Sequence, residues 1–241
     1  MESIKYYLEQ AVNRDASDVF VIAGKTMCMK IAGAIESIDE NRLMPDDTKV
    51  LVEELYTMAG RKLPRGMEVD DDYSLSVPGL ARFRVNIFQQ RGSLAAVIRV
   101  VGFGIPDYKE RGISEEVMKL ANQTRGLVLV TGPAGSGKST TLACLVDAIN
   151  HTRNAHIITI EDPLESLHRN AKGIVSQREL ATDTESYVTA LRASLRQAPD
   201  VILLGEMRDL DTIQTAMTAA ETGHLVISTL HTVGAVNTID R

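Results

Sequence analysis

The sequence predicts an α/β protein in two parts: a small N-terminal α+β domain over residues 1–100 and a larger domain over residues 113–241. Two observations lead to this prediction. In the first part, strand-like segments follow one another through short turns, which is typical of an antiparallel meander. In the second part, continuous apolar segments alternate with helical ones, which indicates a parallel sheet covered by helices on both faces.

The elements of the N-terminal domain are predicted from periodicity and turn residues. Apolar residues recur at helical spacing in residues 1–13, and Pro45 and Asp46 begin a second helix that continues to about residue 59. Glycine and proline separate the segments of strand-like composition. The predicted strands cover residues 18–23, 27–31, 34–38, 68–77, 81–90 and 93–100.

Residues 101–112 are rich in glycine and proline and are predicted to form the linker between the domains. After them comes a predicted helix at residues 115–122. The predicted strands of the second domain cover residues 126–131, 156–160, 201–204 and 224–229, with a helix between each consecutive pair. The chain stops at Arg241 just after a strand, which predicts that a C-terminal part is missing.

Composition excludes several classes of protein. A net charge of −6 and the absence of tryptophan argue against a nucleic-acid binder, which needs a basic surface and aromatic stacking. No apolar run reaches the roughly 18 residues of a membrane span, and the N-terminus does not resemble a signal peptide. Cys28 and Cys144 fit neither a metal site nor a disulfide framework. We therefore expect a cytoplasmic protein with reduced cysteines, whose membrane association, if any, is through a partner.

A glycine-rich segment matches the phosphate-loop pattern G-x-x-x-x-G-K-[ST]. Its glycines let the backbone approach phosphates closely, and its successive N–H groups form an anion-binding nest at the start of a helix. Lys138 supplies a positive charge, and the Ser139 hydroxyl is a metal ligand for Mg²⁺. The alternative is a glycine-rich turn that binds nothing. The residues predicted to bind ATP are Gly132, Pro133, Ala134, Gly135, Ser136, Gly137, Lys138, Ser139 and Thr140.

Acidic clusters follow two of the predicted strands. The sequence EDPLE, which ends at Glu165, follows the strand at residues 156–160, and GEMRD, which contains Glu206, follows the strand at residues 201–204. Because the carboxyl ends of parallel strands line one crevice, both clusters are predicted beside the phosphate loop. In the second cluster Gly205 stands where a magnesium-associated Asp is usual, which leaves Glu206 to act on water or the magnesium shell. A solvated Glu206 and a capped turn at the first cluster are the alternatives.

Histidines and arginines are further candidates. His224 and His231 bracket the last predicted strand, where a histidine can donate a hydrogen bond to a phosphate. Arg82 and Arg84 alternate with apolar residues, so they share one face of a strand. From the residues alone, a solvated strand face is the favoured interpretation of these arginines.

Four motifs occur in order: GPAGSGKSTT, TIEDPLE, LRQAPDVILLGEMRD and AAETGHLVISTLHT. With them the chain resembles the type II/type IV secretion ATPase superfamily, whose marks are a Walker A motif, an Asp box, an atypical Walker B motif and a His box. The resemblance is dense from about residue 127 to residue 241 and weaker upstream. It implies a RecA-like P-loop NTPase core preceded by a smaller PAS-like α+β domain.

The resemblance also implies roles for single residues. Lys138 and Ser139 would hold phosphate and Mg²⁺, and the N-terminal domain would supply phosphate-sensing arginines. The residues implied in catalysis are the carboxylates Glu165 and Glu206, the His-box residues His224 and His231, and the arginines Arg82, Arg84 and Arg99.

Within the superfamily, the short N-terminal domain and the wording GEMRD make the chain most similar to the retraction ATPases of twitching motility. This implies a homo-oligomer, a hexameric motor that hydrolyses ATP to power type IV pilus retraction. Its implied partner is an inner-membrane pilus platform protein, with no nucleic acid and with membrane contact only through partners. A pilus assembly or type II secretion ATPase, a nucleotide-regulated binding protein and a nucleic-acid translocase are the alternatives.

Overall fold

A computed structural model describes residues 2–64, 69–102 and 104–240. The chain divides into two compact units, Met1–Gly102 and Phe103–Arg241. The predicted start of a strand at residue 68, the linker residue 103 and the final residue 241 lie outside the described residues. After the strand Ser93–Val101, the described residues of the predicted linker form no helix or strand.

The described residues of the first unit form a six-stranded antiparallel sheet and two helices. Its strands lie in the order β3-β2-β1-β6-β5-β4, so the predicted meander of β4, β5 and β6 continues into a second group of three strands through β1. The elements are α1 (Ile4–Asn13), β1 (Ala16–Val21), β2 (Thr26–Ile31), β3 (Ala34–Arg42), α2 (Pro45–Met58), β4 (Asp70–Val77), β5 (Ala81–Gln90) and β6 (Ser93–Val101).

The core of the first unit joins both helices to one face of the sheet. Ile4 and Leu8 of α1 and Leu55 of α2 are fully buried in the same cluster as Phe83 of β5. Each such side chain contributes about 1.5–3 kcal/mol through burial. Along β5 the buried residues alternate with exposed or half-buried ones, which confirms the predicted alternation of its two faces.

The second unit is a five-stranded parallel sheet in the order β7-β11-β10-β8-β9. Its elements are α3 (Glu115–Met118), followed at once by a 3₁₀ turn (Lys119–Asn122), then β7 (Gly126–Thr131), α4 (Lys138–Thr152), β8 (His156–Glu161), β9 (Ile174–Glu179), α5 (Tyr187–Ser194), β10 (Val201–Leu204), α6 (Leu210–Glu221), β11 (Leu225–Leu230) and α7 (Ala235–Ile239).

Helices cover both faces of this sheet, as predicted. Ile149 of α4 and Ile157 of β8 belong to one buried cluster. Leu191 of α5 and the neighbouring strand residue Ile158 belong to another. Successive strand residues point to opposite faces, so the central strands are mostly apolar, with Thr159 of β8 and Ser228 and Thr229 of β11 as buried polar residues. Among the helices of the described ranges, none is long and apolar enough to cross a membrane.

Strand β9 is the main departure from the predicted elements, since only a helix was predicted between residues 160 and 201. β9 lies at the edge of the sheet beside β8, and its middle residues Ser176, Gln177 and Arg178 are polar. It therefore lacks the continuous apolar run that identifies a central parallel strand. Elsewhere β3 continues to Arg42, beyond the predicted residue 38.

Candidate nucleotide site

The candidate site lies where four parallel strands end. The phosphate loop (residues 132–140) follows β7, and the two acidic clusters follow β8 and β10. The backbone N–H of Gly205 donates to Ile160 O at 2.8 Å, and Thr229 Oγ1 donates to Gly205 O at 2.6 Å. The segment after β10 is thus fixed between β8 and β11.

The phosphate loop has a backbone that needs glycine at both ends. Gly132 has φ 151°, and a Cβ there would lie 2.8 Å from Ser136 Oγ. Gly137 has φ 90° and is the N-cap of α4. Side chains are rarely compatible with such φ values, so glycine permits the turn that aims the N-terminal end of α4 at the loop.

The ammonium group of Lys138 lies inside the loop. Its Nζ donates to Gly132 O at 3.0 Å and to Pro133 O at 2.9 Å, and the residue is only 8% exposed. Two of the three donors of the ammonium are used in these bonds. A positive charge is therefore held against the backbone of the loop.

A cavity of about 280 Å³ joins the loop to both acidic clusters. The Ser139 hydroxyl donates to Glu165 Oε1 at 3.0 Å, which links the loop directly to the first cluster. The predicted site residues that line this cavity are Ala134, Gly135, Lys138, Ser139, Glu165, Glu206 and His231. Three other loop residues, Ser136, Gly137 and Thr140, line a separate cavity of about 700 Å³.

Glu206 has a basic side chain near each carboxylate oxygen. Arg208 Nη2 lies 2.6 Å from Oε1, and His231 Nε2 lies 3.8 Å from Oε2. Glu206 is 9% exposed, so the arginine offsets the desolvation of its charge. Within the described residues, no group of three or more His, Cys, Asp or Glu side chains could hold a metal ion.

The structure does not bring His224 into this cavity. His224 precedes β11 and its Nδ1 lies 2.9 Å from Ala219 O, whereas His231 follows β11. The six residues of β11 place about 20 Å between its ends. The two histidines therefore lie beyond opposite ends of β11, and a joint role for them stays a prediction.

The three predicted phosphate-sensing arginines belong to the first unit. The β5–β6 register places Arg84 directly opposite Arg99. Like charges at such a position repel, and acidic neighbours offset this: Arg84 pairs with Asp72 at 2.6 Å, and Arg99 pairs with Asp18 at 3.0 Å. Arg82 Nη1 donates to Ser76 Oγ at 3.3 Å. A role for these arginines toward phosphate stays a prediction.

Two cavity residues were given no role of their own from the sequence: Glu161, the first residue of the EDPLE cluster, and Tyr187. Burial raises the pKa of Glu161 to about 7, although hydrogen bonds, including one from the backbone of Glu165, lower it. Burial, reinforced by the charge of Glu206, also raises the pKa of Tyr187. Glu161 ends β8, and this position could have identified it as a site residue from the sequence. Tyr187 begins α5, and no sequence pattern indicates that it lines the cavity.

The unusual Gly205 is explained by close packing. A Cβ at Gly205 would lie 3.2 Å from Tyr187 Oη and 3.4 Å from the Cα of Glu161. Tyr187 Oη is buried and has no hydrogen-bond partner among the described residues. Glycine after β10 therefore leaves room for the Tyr187 hydroxyl beside the backbone at the end of the strand.

The first prediction concerns the pH dependence of stability. The pKa of Glu161 is about 7 in the folded protein against 4.5 ordinarily, so burial of its charge destabilises the fold as pH rises from about 4.5 to 7. Glu161→Gln removes this titration. The free energy of unfolding of the variant minus that of the wild type should rise by roughly 3 kcal/mol between pH 4 and pH 8 in urea titrations. A difference independent of pH contradicts the buried charge; the exposed Glu185→Gln is the control.

The second prediction tests the contact at Gly205. Gly205→Ala should lower the free energy of unfolding by about 1–3 kcal/mol, since the added methyl overpacks the site. Tyr187→Phe removes the Oη and should restore roughly 1 kcal/mol in the Gly205→Ala background, as a double-mutant cycle measures. Tyr73→Phe, which removes a buried hydroxyl in the first unit, should restore nothing. Equal effects of the two tyrosine changes would count against the contact.

Comparison with known proteins places the chain among secretion and pilus ATPases. A family described as type II/IV secretion system protein matches residues 1–241. The type IV pilus retractation ATPase PilT of Pseudomonas aeruginosa is 45% identical over 233 residues, covering 96% of this chain and 67% of that protein. The twitching motility protein of Neisseria gonorrhoeae is 43% identical over 240 residues, covering 99% of this chain and 64% of that protein.

Solved structures agree with this placement. A crystal structure of the pilus retraction motor PilT with bound ADP matches with a TM-score of 0.84 and 45% identity, over 100% of this chain and 70% of that one. The ATPase DotB of Legionella pneumophila matches with a TM-score of 0.73 and 26% identity, over 100% of this chain and 69% of that one. The chain spans about two thirds of the length of these relatives. Because the family matches along the whole sequence, the chain belongs to the type II/IV secretion system protein family.

Proposed function

We propose that this protein is a motor that hydrolyses ATP to power retraction of a type IV pilus. The observation that carries the proposal is the single cavity in which the phosphate loop, Glu165 and Glu206 meet. A loop alone accounts for nucleotide binding, and hydrolysis additionally needs a group that acts on water. Similarity to PilT, named as a pilus retraction motor, supports the kind of work that hydrolysis would drive.

The loop residues are suited to hold the phosphates of ATP. Lys138 and the N-terminal end of α4 would face the β- and γ-phosphates, since both bring positive charge to the same turn. The cavity of about 700 Å³ on the other side of the loop, beside Arg111 and Thr141, offers space for the base and ribose. ADP is bound in the structure of the relative PilT, which supports a nucleotide at this loop.

The residues present also fit Mg²⁺. Ser139 would be its protein ligand, because the hydroxyl of Ser139 lies beside a carboxylate, and Mg²⁺ prefers oxygen ligands. When bound, Mg²⁺ would neutralise charge that develops on the phosphates. Glu165 fixes the orientation of the Ser139 hydroxyl through the 3.0 Å hydrogen bond.

Glu206 is the proposed general base. Its carboxylate would take a proton from the attacking water, and the ion pair with Arg208 fixes the position of the carboxylate for that step. His231, whose Nε2 lies 3.8 Å from the same carboxylate, would sense the γ-phosphate. Arg82, Arg84 and Arg99 of the first unit are proposed phosphate sensors. His224, beyond the opposite end of β11, is not included in this mechanism.

We further propose that the working form is a hexamer at the cytoplasmic face of the membrane, attached through a pilus platform protein. An assembly or secretion ATPase is the second candidate, because the type II secretion system protein E of Pseudomonas aeruginosa is 32% identical over 253 residues. The two candidates share the hydrolysis site and differ in the direction of the work.

Glu206→Gln tests hydrolysis. The variant should bind ATP with unchanged affinity and lose turnover by roughly a hundredfold or more, because the amide cannot accept the proton. Fluorescent-nucleotide binding and phosphate release measure the two quantities. The exposed Glu221→Gln is the control and should match the wild type. Turnover near the wild-type level in Glu206→Gln would make Glu206 a structural residue.

A deletion in the source organism tests the direction of work. Cells without the protein should keep surface pili and lose twitching, because pili would extend and not retract. Electron microscopy and a surface-motility assay measure these properties. The wild-type gene should restore twitching, and the Glu206→Gln gene should not. Loss of the pili themselves would favour the assembly candidate.

A further inference from the structure

The carboxylate Glu165 lies in a segment without regular structure. We call residues 162–173, between β8 and β9, the Glu165 loop; no helix or strand occurs in it. Backbone groups of such a loop need partners outside a regular ladder, because unpaired buried N–H and C=O groups are costly. The position of Glu165 relative to Ser139 thus depends on the side chains that form hydrogen bonds with the backbone of this loop.

Gln177 of β9 supplies two of them with one side chain. Its Oε1 accepts the backbone N–H of His168 at 2.8 Å, and its Nε2 donates to Ser166 O at 2.9 Å. One partner is a donor and the other an acceptor, so the orientation of the amide is determined by the backbone it contacts. Gln177 therefore fixes the residue that follows Glu165.

Glu179, two residues further along β9, fixes the residue that precedes Glu165. Its Oε2 accepts the backbone N–H of Leu164 at 3.0 Å, and Glu179 is only 4% exposed. A hydrogen bond to a buried carboxylate is stronger than one between neutral groups. The two side chains share one face of β9 because strand residues alternate between faces. Glu165 is thus flanked on both sides by backbone anchored to the same strand.

We propose, on the basis of the ATPase function proposed above, that Gln177 and Glu179 are positioning residues that hold Glu165 at hydrogen-bond distance from Ser139 for turnover. Both act through Glu165 and belong to the strand that pairs with β8. A structural role limited to stability is the rival explanation. It predicts that loss of either side chain weakens the fold without a specific dependence on Glu165.

The same loop offers a matched control in Asn150 at the end of α4. Its Nδ2 donates to Arg169 O at 2.8 Å, and its Oδ1 accepts the N–H of Ala171 at 3.2 Å. Asn150 is fully buried. It makes the same kind of amide bridge as Gln177, but on the half of the loop that has no carboxylate facing the cavity.

The experiment compares two apolar replacements of similar size, Gln177→Met and Asn150→Leu, in the purified protein. Gln177→Met should lower kcat by roughly tenfold to a hundredfold, because a displaced group near the reacting atoms has effects of this size. Its affinity for ADP should stay within about twofold, since Lys138 and the loop N–H groups are untouched. Asn150→Leu should lower thermal stability and leave kcat within about threefold.

A double-mutant cycle with Glu165→Gln decides between positioning and stability. If Gln177 acts through Glu165, Gln177→Met should reduce kcat by less than about twofold further in the Glu165→Gln background. Equal reductions in the two backgrounds, or equal coupling for Asn150→Leu, would overturn the inference. If Gln177→Met fails to fold, Gln177→Glu replaces it, since this change keeps the acceptor for His168 and loses the donor to Ser166.

The measurements distinguish failure of the proposed ATPase function from failure of the positioning role. A wild-type protein without Mg²⁺-dependent turnover overturns the proposed ATPase function. An active wild type whose Gln177 variants show no coupling to Glu165 overturns the positioning role alone. Glu179→Gln adds an independent arm, because it keeps the size of the side chain and removes only its charge. Glu179→Gln should lower kcat less than Gln177→Met does, and this reduction should likewise disappear in the Glu165→Gln background.

Discussion

Parallel pairing of β7, β11, β10 and β8 is the constraint on which the whole site depends. Parallel strands run in one direction, so the segments that follow them leave the sheet at one edge. The phosphate loop, Glu161, Glu206 and His231 all lie at or just after these strand ends. Backbone hydrogen bonding therefore makes them neighbours before any side chain contributes. For the same reason His224, which precedes β11, lies at the opposite end of the strands.

Carboxylates gathered at this edge repel one another, and the structure offsets this in three different ways. Arg208 pairs with Glu206, and Ser139 donates to Glu165. Burial raises the pKa of Glu161 to about 7, so this carboxyl keeps its proton through mildly acidic conditions. The loop adds the charge of Lys138 and the helix terminus, which favour the phosphates of a nucleotide despite the nearby acids.

The parts of the site that the sequence predicted are those with a local pattern. The phosphate loop, Glu165 and Glu206 follow apolar strands that are recognisable without knowledge of the fold, and the structure brings them into one cavity. β9 and Gln177 were missed because an edge strand needs few apolar residues, so its composition resembles a solvated segment. Tyr187 was missed because its place depends on Gly205, which is distant in sequence.

The link between Ser139 and Glu165 is supported by β9 on both sides of Glu165, which limits how the loop backbone can move. Glu179 accepts the backbone N–H of Leu164, and Gln177 accepts the backbone N–H of His168 and donates to Ser166 O. Separating Ser139 from Glu165 by moving the loop backbone would break several of these bonds together. Rotation of the Glu165 side chain breaks only the hydrogen bond from Ser139, so it is the less costly movement.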